Sequence, residues 1–87
     1  MASTYKIFES YYDTNGCQMT EQQVFDDTQD FNQAIIWASS IDCEKELFDA
    51  RKNCSRHIMS FAVSIQEYID GEFYHELYFK NFEYYVD

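Results

Sequence analysis

Alternating apolar and polar residues predict two strands at the start of the chain. Residues 4–12, TYKIFESYY, combine β-branched and aromatic side chains with rough alternation, which is typical of a strand. Asn15 and Gly16 both tolerate positive φ and predict a two-residue hairpin loop, from which residues 18–25 would return as a second strand. Two cross-strand pairs follow from that loop: Ile7 with Val24, and Tyr12 with Met19.

Helical periodicity follows in residues 26–41, DDTQDFNQAIIWASSI. Asp27 or Thr28 can cap this helix, and Asp30 adds negative charge in the first turn, where the helix dipole favours it. Trp37 lies off the apolar stripe, so we expect it either to be partly exposed or to cover a sheet edge. The stripe itself repeats at helical spacing and consists of Phe31, Ala34, Ile35, Ala38 and Ile41.

Residues 43–52, CEKELFDARK, favour a short second helix that buries Leu47 and leads into a second hairpin. Both strands of that hairpin alternate well. The first would direct one set of side chains to a single face: His57, Met59, Phe61, Val63 and Ile65. The second would direct Phe73, His75, Leu77 and Phe79 to the same face, and Tyr74, Glu76, Tyr78 and Lys80 to the other.

The length of the loop decides the register of this second hairpin. A loop of two residues, Asp70 and Gly71, competes with a loop of three, residues 70–72. The longer loop buries one continuous apolar face, so we favour it, with Gly71 in a left-handed conformation beside a bulge. It predicts four cross-strand pairs: Ile69 with Phe73, Glu67 with His75, Ile65 with Leu77, and Val63 with Phe79. The shorter loop would instead place Ile65 opposite Glu76 and Val63 opposite Tyr78.

These elements predict an α+β fold with a single antiparallel sheet of about four strands in ββαββ order. One helix, or that helix and a second short one, would pack on one face of the sheet. The 87 residues make a single domain, 1–87, since the chain has no proline and only two glycines from which to build a linker. The uncovered face of the last hairpin would carry Tyr68, Tyr74, Glu76 and Tyr78.

The charge balance narrows the range of partners. Sixteen acidic residues against six basic ones give a net charge of −10, which argues against direct binding of nucleic acid or an anionic membrane. Four of the basic residues fall within residues 45–56. The start, MASTYKIFES, lacks a basic segment followed by an apolar run, and the longest apolar run, AIIWA, is too short to span a membrane. We therefore expect a cytoplasmic location.

Few residue combinations in the sequence suggest a catalytic or metal-binding site. Cys54 and His57 are three positions apart, which does not aim one at the other as a nucleophile and base require. A zinc site could use Cys43, Cys54, His57 and His75 on paper, but the chain has no Cys-x-x-Cys pair. Paired carboxylates such as Asp26 and Asp27 are abundant but offer no cleft. We expect no enzyme activity, no cofactor and no metal.

Tyrosine and carboxylate side chains are interleaved through residues 66–87, QEYIDGEFYHELYFKNFEYYVD, where Lys80 is the single Lys or Arg. Tyrosine gives a large contact area with few rotatable bonds, and carboxylates pair with basic residues of a partner. The same pattern is also typical of the solvent face of an ordinary sheet. Recognition through a surface is therefore the function class that this segment favours.

In overall character the chain resembles the small acidic anti-defence proteins of phages and mobile elements, of the anti-CRISPR and anti-restriction kind. The shared features are one short domain, a net charge of −10, three unpaired cysteines and the acidic hairpin EYIDGEFYHELYF. The resemblance implies a stoichiometric inhibitor whose carboxylates imitate phosphates in the basic groove of a nucleic-acid-binding defence protein. It implies these contact residues: Glu67, Asp70, Glu72, Tyr74, Glu76, Tyr78 and Glu83.

Two other classes stay open. One is a general protein-interaction module, such as an immunity protein or small subunit, bound by apolar contacts through Trp37 and the last hairpin. A complex that is insensitive to salt would favour this class, because apolar contacts are not screened as surface charges are. The other is a small enzyme or metal protein that uses Cys43, Cys54 and His57.

Overall fold

Six elements follow one another in the computed structural model, which describes residues 2–84. They are β1 (Ser3–Asp13), β2 (Gln18–Thr28), α1 (Phe31–Ser39), α2 (Cys43–Asn53), β3 (Ile58–Ile69) and β4 (Glu72–Glu83). The strands form one four-stranded antiparallel sheet in the order β2-β1-β3-β4. The predicted α+β class and ββαββ order are confirmed, with the second helix present. The end of the tyrosine-rich stretch, residues 85–87, lies outside the described residues.

Aspartate side chains begin both helices. The Asp30 carboxylate accepts a hydrogen bond from the backbone N–H of Asn32 at 2.9 Å, which satisfies one of the unpaired donors of the first turn of α1. Asp42 caps α2 in the same way. The predicted cap at Asp27 or Thr28 is wrong, because β2 continues through both residues before the chain turns into α1.

The core joins residues of both helices to residues of the two central strands. The helical layer contributes Ala34, Ala38, Ile41, Leu47 and Ala50, and the sheet contributes Ile7, Ile58, Phe61, Val63 and Ile65. The predicted apolar stripe of α1 is confirmed, since Ala34, Ala38 and Ile41 are buried and the other two members pack against the core. Each fully buried Leu, Ile or Phe contributes about 1.5–3 kcal/mol of hydrophobic stabilisation.

The first hairpin has a longer loop than the predicted two residues. The Asp13 carboxylate closes it by accepting hydrogen bonds from the N–H of Asn15 at 2.9 Å and of Cys17 at 3.0 Å. Gly16 adopts a φ of 78° within this loop. Of the two predicted pairs one is confirmed and one is wrong: Ile7 lies opposite Val24, but Tyr12 lies opposite Gln18 rather than Met19.

Two bulges set the register of the second hairpin. The loop has two residues, Asp70 and Gly71, with φ of 51° and 87°, so the favoured three-residue loop is wrong. Tyr74 and Leu77 are the extra residues of β4 at the two register shifts. The observed pairs include Tyr68 with Phe73, Glu67 with His75, Gln66 with Glu76, Ile65 with Tyr78, Ser64 with Phe79, and Val63 with Lys80. Only the predicted pair of Glu67 with His75 is confirmed.

In this register, residues 78–80 of β4 point to the opposite face of the sheet from the one that we predicted. Tyr78 lies opposite Ile65 and packs against the core, whereas Phe79, which we predicted to be covered, is 54% exposed. Lys80 points toward the helices, where its Nζ donates a hydrogen bond to the Ile41 carbonyl at 2.7 Å. The predicted uncovered face with Tyr74, Glu76 and Tyr78 side by side is therefore wrong.

Candidate functional site

The end of the second hairpin, residues 67–76, is called the hairpin arm below. Residues 72–76 of β4 are all exposed, although a strand with one face on a core would alternate between buried and exposed positions. Phe73 and Tyr74 are 58% and 60% exposed. The arm therefore presents side chains to solvent on both of its faces.

Local contacts hold the arm in one shape. Asp70 and Gly71 both take positive φ, which is the geometry of a tight two-residue hairpin. The backbone N–H of Asp70 donates to the carbonyl of Ala2 at 3.2 Å, so the start of β1 supports the loop. Behind it, the rings of Tyr68 and Phe73 meet edge to face with centroids 5.7 Å apart. These contacts reduce the entropy that binding through the arm would cost.

One carboxylate of the arm, that of Glu67, is hydrogen-bonded within the protein through both of its oxygens. Glu67 accepts a hydrogen bond from Ser3 Oγ at 2.5 Å and lies 2.8 Å from His75 Nε2. The hydrogen bond from Ser3, followed by the contact with His75, lowers the pKa of Glu67. Its side chain is only 14% exposed. Glu67 thus fixes His75 and the base of the arm, rather than standing free for a partner.

Three other carboxylates of the arm, Asp70, Glu72 and Glu76, are exposed. Ile69, Asp70, Glu72, Phe73 and Tyr74 line an open recess of about 500 Å³ at the tip. Aromatic rings beside carboxylates suit a guanidinium group, which stacks on a ring and pairs with an acid at the same time. The recess therefore combines the two features, ring faces and carboxylates, that suit a guanidinium group.

The predicted contact residues do not form one site. Asp70, Glu72, Tyr74 and Glu76 share the arm with Glu67, but Tyr78 packs against the core. Glu83 is exposed at the opposite end of β4, more than about 20 Å from Glu76 along the strand. Sequence reasoning missed Phe73, which it placed on a covered face. The Asp70-Gly71 dipeptide was the signal for the shorter loop that exposes this ring.

The residues considered for catalysis or zinc are not brought together. Cys43 begins α2 and Cys54 follows its end, so the two are about 16 Å apart along the helix. His75 is paired with Glu67 on the arm. Burial raises the pKa of Cys43, which disfavours its thiolate. Within residues 2–84, no three His, Cys, Asp or Glu side chains are grouped in a way that could hold a metal ion.

Neither helix of the described chain is long and apolar enough to cross a membrane. Comparison of the chain with protein-family models, with curated proteins and with solved structures found no match in any of the three.

Proposed function

We propose that this chain is a non-enzymatic, stoichiometric inhibitor that inserts its hairpin arm into the basic groove of a nucleic-acid-binding defence protein, of CRISPR–Cas or restriction type, in the bacterial cytoplasm. The observation that carries the proposal is the run of exposed residues 72–76, in which Phe73 and Tyr74 stand among carboxylates. In this proposal the two helices stay on the core face of the sheet and leave the arm free to enter a groove.

Charge and ring chemistry support this proposal together. A groove that binds nucleic acid carries Lys and Arg for phosphates and, where it binds single strands, aromatic surfaces for bases. Asp70, Glu72 and Glu76 would take the place of phosphates, and Phe73 and Tyr74 would take the place of bases. The net charge of −10 would speed the encounter with a basic groove. Glu67, which we predicted as a contact, would instead support the arm from within, and Tyr78, predicted likewise, packs against the core outside the arm.

Affinity capture tests this proposal. The tagged chain is incubated with bacterial lysate at low salt, and bound proteins are eluted with DNA or RNA. We expect elution of a nucleic-acid-binding protein whose nuclease or target-binding activity falls in proportion to added chain, up to a fixed stoichiometry. Replacing Asp70→Asn, Glu72→Gln and Glu76→Gln together should abolish capture, because three charges leave the arm while side-chain size is kept.

The matched control removes three exposed charges elsewhere, with Asp26→Asn, Glu44→Gln and Asp49→Asn. Capture should persist in this control, because the arm is intact and only the total charge has changed. If both triple variants lost capture equally, the cause would be the lower net charge, and this result would contradict a specific binding site on the arm. A partner that survives high salt and ignores nucleic acid would favour the alternative function, an interaction module held by apolar contacts.

A further inference from the structure

The sheet face opposite the core has an apolar centre. Core positions Ile7 and Val63 alternate along β1 and β3 with residues that point to this opposite face, called the open face below. Register places its central residues in two neighbouring cross-strand rows: Phe8, Ser64 and Phe79 in one, and Ser10 and Ala62 in the next. Two phenyl rings, Phe8 on a central strand and Phe79 on the edge strand β4, therefore lie beside the small side chains of the two central strands.

Ser10, Ala62 and Ser64 form the floor of a shallow depression beside the protruding ring of Phe79. Ser10, Ala62 and Ser64 are 6%, 4% and 8% exposed, whereas Phe79 beside them is 54% exposed. An antiparallel sheet whose second face is simply solvated carries polar side chains there. A largely exposed ring beside small, nearly buried side chains therefore indicates a surface that is completed by contact.

Acidic residues border this floor on both edge strands. Glu21 on β2 lies in the row of Ser10, and Glu76 and Glu83 lie on the same face of β4. The two edge strands are three strand spacings apart, or about 14 Å. An α-helix with its side chains is about 10–12 Å wide, so it fits between the two acidic edges.

We propose that the open face binds a basic amphipathic helix of a partner protein. The apolar stripe of that helix would cover Phe8 and Phe79, and Lys or Arg on its flanks would pair with the acidic edges. A second copy of this chain does not fit. The acidic edges of the two open faces would meet and repel each other, and each chain carries a net charge of −10. Nucleic acid does not fit for the same electrostatic reason. This surface shares Glu76 with the hairpin arm but not the recess at its tip, and it does not depend on the function proposed for the arm.

A designed peptide pair tests the open face. One labelled 18-residue helix carries leucines on one stripe and lysines elsewhere, and its scrambled version keeps the composition but lacks the stripe. We expect the striped peptide to bind at least tenfold more tightly, as measured by fluorescence anisotropy. Amide shift changes in ¹⁵N-labelled chain should centre on Phe8, Ser10, Ala62, Ser64 and Phe79. The variant Phe79→Asp should weaken binding of the striped peptide at least tenfold.

Two control variants isolate the surface. Ile36→Asp places the same charge at another exposed apolar residue, 62% exposed on α1, and should leave affinity within twofold. Asp70→Asn with Glu72→Gln removes charge from the arm and should also leave it within twofold. Equal binding of both peptides, or shift changes confined to residues 70–76, would overturn the proposal. Concentration-dependent dimerisation of the free chain that Phe79→Asp abolishes would also overturn it, because the occupant would then be a second copy.

Discussion

The side chain of Lys80 on β4 reaches the segment that follows α1, where its Nζ donates a hydrogen bond to the carbonyl oxygen of Ile41 at 2.7 Å. A second, longer contact of 3.4 Å reaches the carbonyl of Ser39. Carbonyls at the end of a helix have no partner within the helix, so a side chain from a distant strand satisfies them. The edge strand β4 and the helical layer are thereby joined by a charge-assisted hydrogen bond.

We expect Lys80→Met to lower the free energy of unfolding by about 1–3 kcal/mol, because it leaves a partly buried carbonyl without a donor. Urea unfolding followed by circular dichroism measures the change. Lys52→Met is the control, since Lys52 is exposed in the last turn of α2, and its effect should stay within about 0.5 kcal/mol. Equal effects of the two substitutions would show that the contact contributes nothing.

Glu9 gives a prediction about pH. This residue is 9% exposed on β1; burial raises the pKa of its carboxyl, a hydrogen bond from Gln22 lowers it, and Glu46 raises it. A raised pKa in the folded state means that the ionised form is destabilising, so stability rises as pH falls through that pKa. We expect Glu9→Gln to increase the free energy of unfolding at pH 7, with the gain disappearing near the ordinary value of 4.5.

Urea unfolding at pH 7, 6, 5 and 4.5 tests this expectation. Glu44→Gln is the matched control, because it removes one charge from an exposed position and corrects for the general effect of a net charge of −10. A gain at pH 7 that is equal in the two variants, or that persists unchanged at pH 4.5, would contradict the assignment to Glu9.

The loop of the hairpin arm gives a backbone prediction. Gly71 has a φ of 87°, and a Cβ added there would meet no atom within 4 Å. Gly71→Ala should therefore cost only the backbone strain of the left-handed region, about 1–2 kcal/mol. Asp70→Asn should be nearly neutral, because asparagine tolerates the φ of 51° found at that position. Thermal unfolding measures both, and an unchanged midpoint in Gly71→Ala would contradict the loop geometry.

The three cysteines should react at different rates. Cys17 and Cys54 are exposed, whereas Cys43 is half-buried with a raised pKa caused mainly by burial. We expect iodoacetamide at pH 8 to alkylate the two exposed thiols about tenfold faster or more than Cys43. Peptide mass spectrometry at timed quenches gives the rates, and unfolding in urea should remove the difference. Similar rates in the folded chain would contradict the burial of Cys43.

Local patterns were enough to predict the order of the elements and the stripe of α1, since alternation and helical spacing depend on neighbouring residues. The register of the second hairpin was not predictable in this way. Both sets of alternate positions in β4 contain rings, such as Phe73 and Phe79 in one and Tyr74 and Tyr78 in the other. The apolar pattern therefore fits either face, and two bulges decide between them. The contact of Lys80 with Ile41 joins residues 39 positions apart, so no local pattern could indicate it.

The irregular edges of the sheet have a consequence for self-association of the chain through its edge strands. β2 is interrupted by Phe25, which has a φ of 64°, and β4 by bulges at Tyr74 and Leu77. A further strand could not continue an even ladder of hydrogen bonds past these positions. The irregular backbone of both edge strands therefore disfavours fibrous polymerisation by strand pairing.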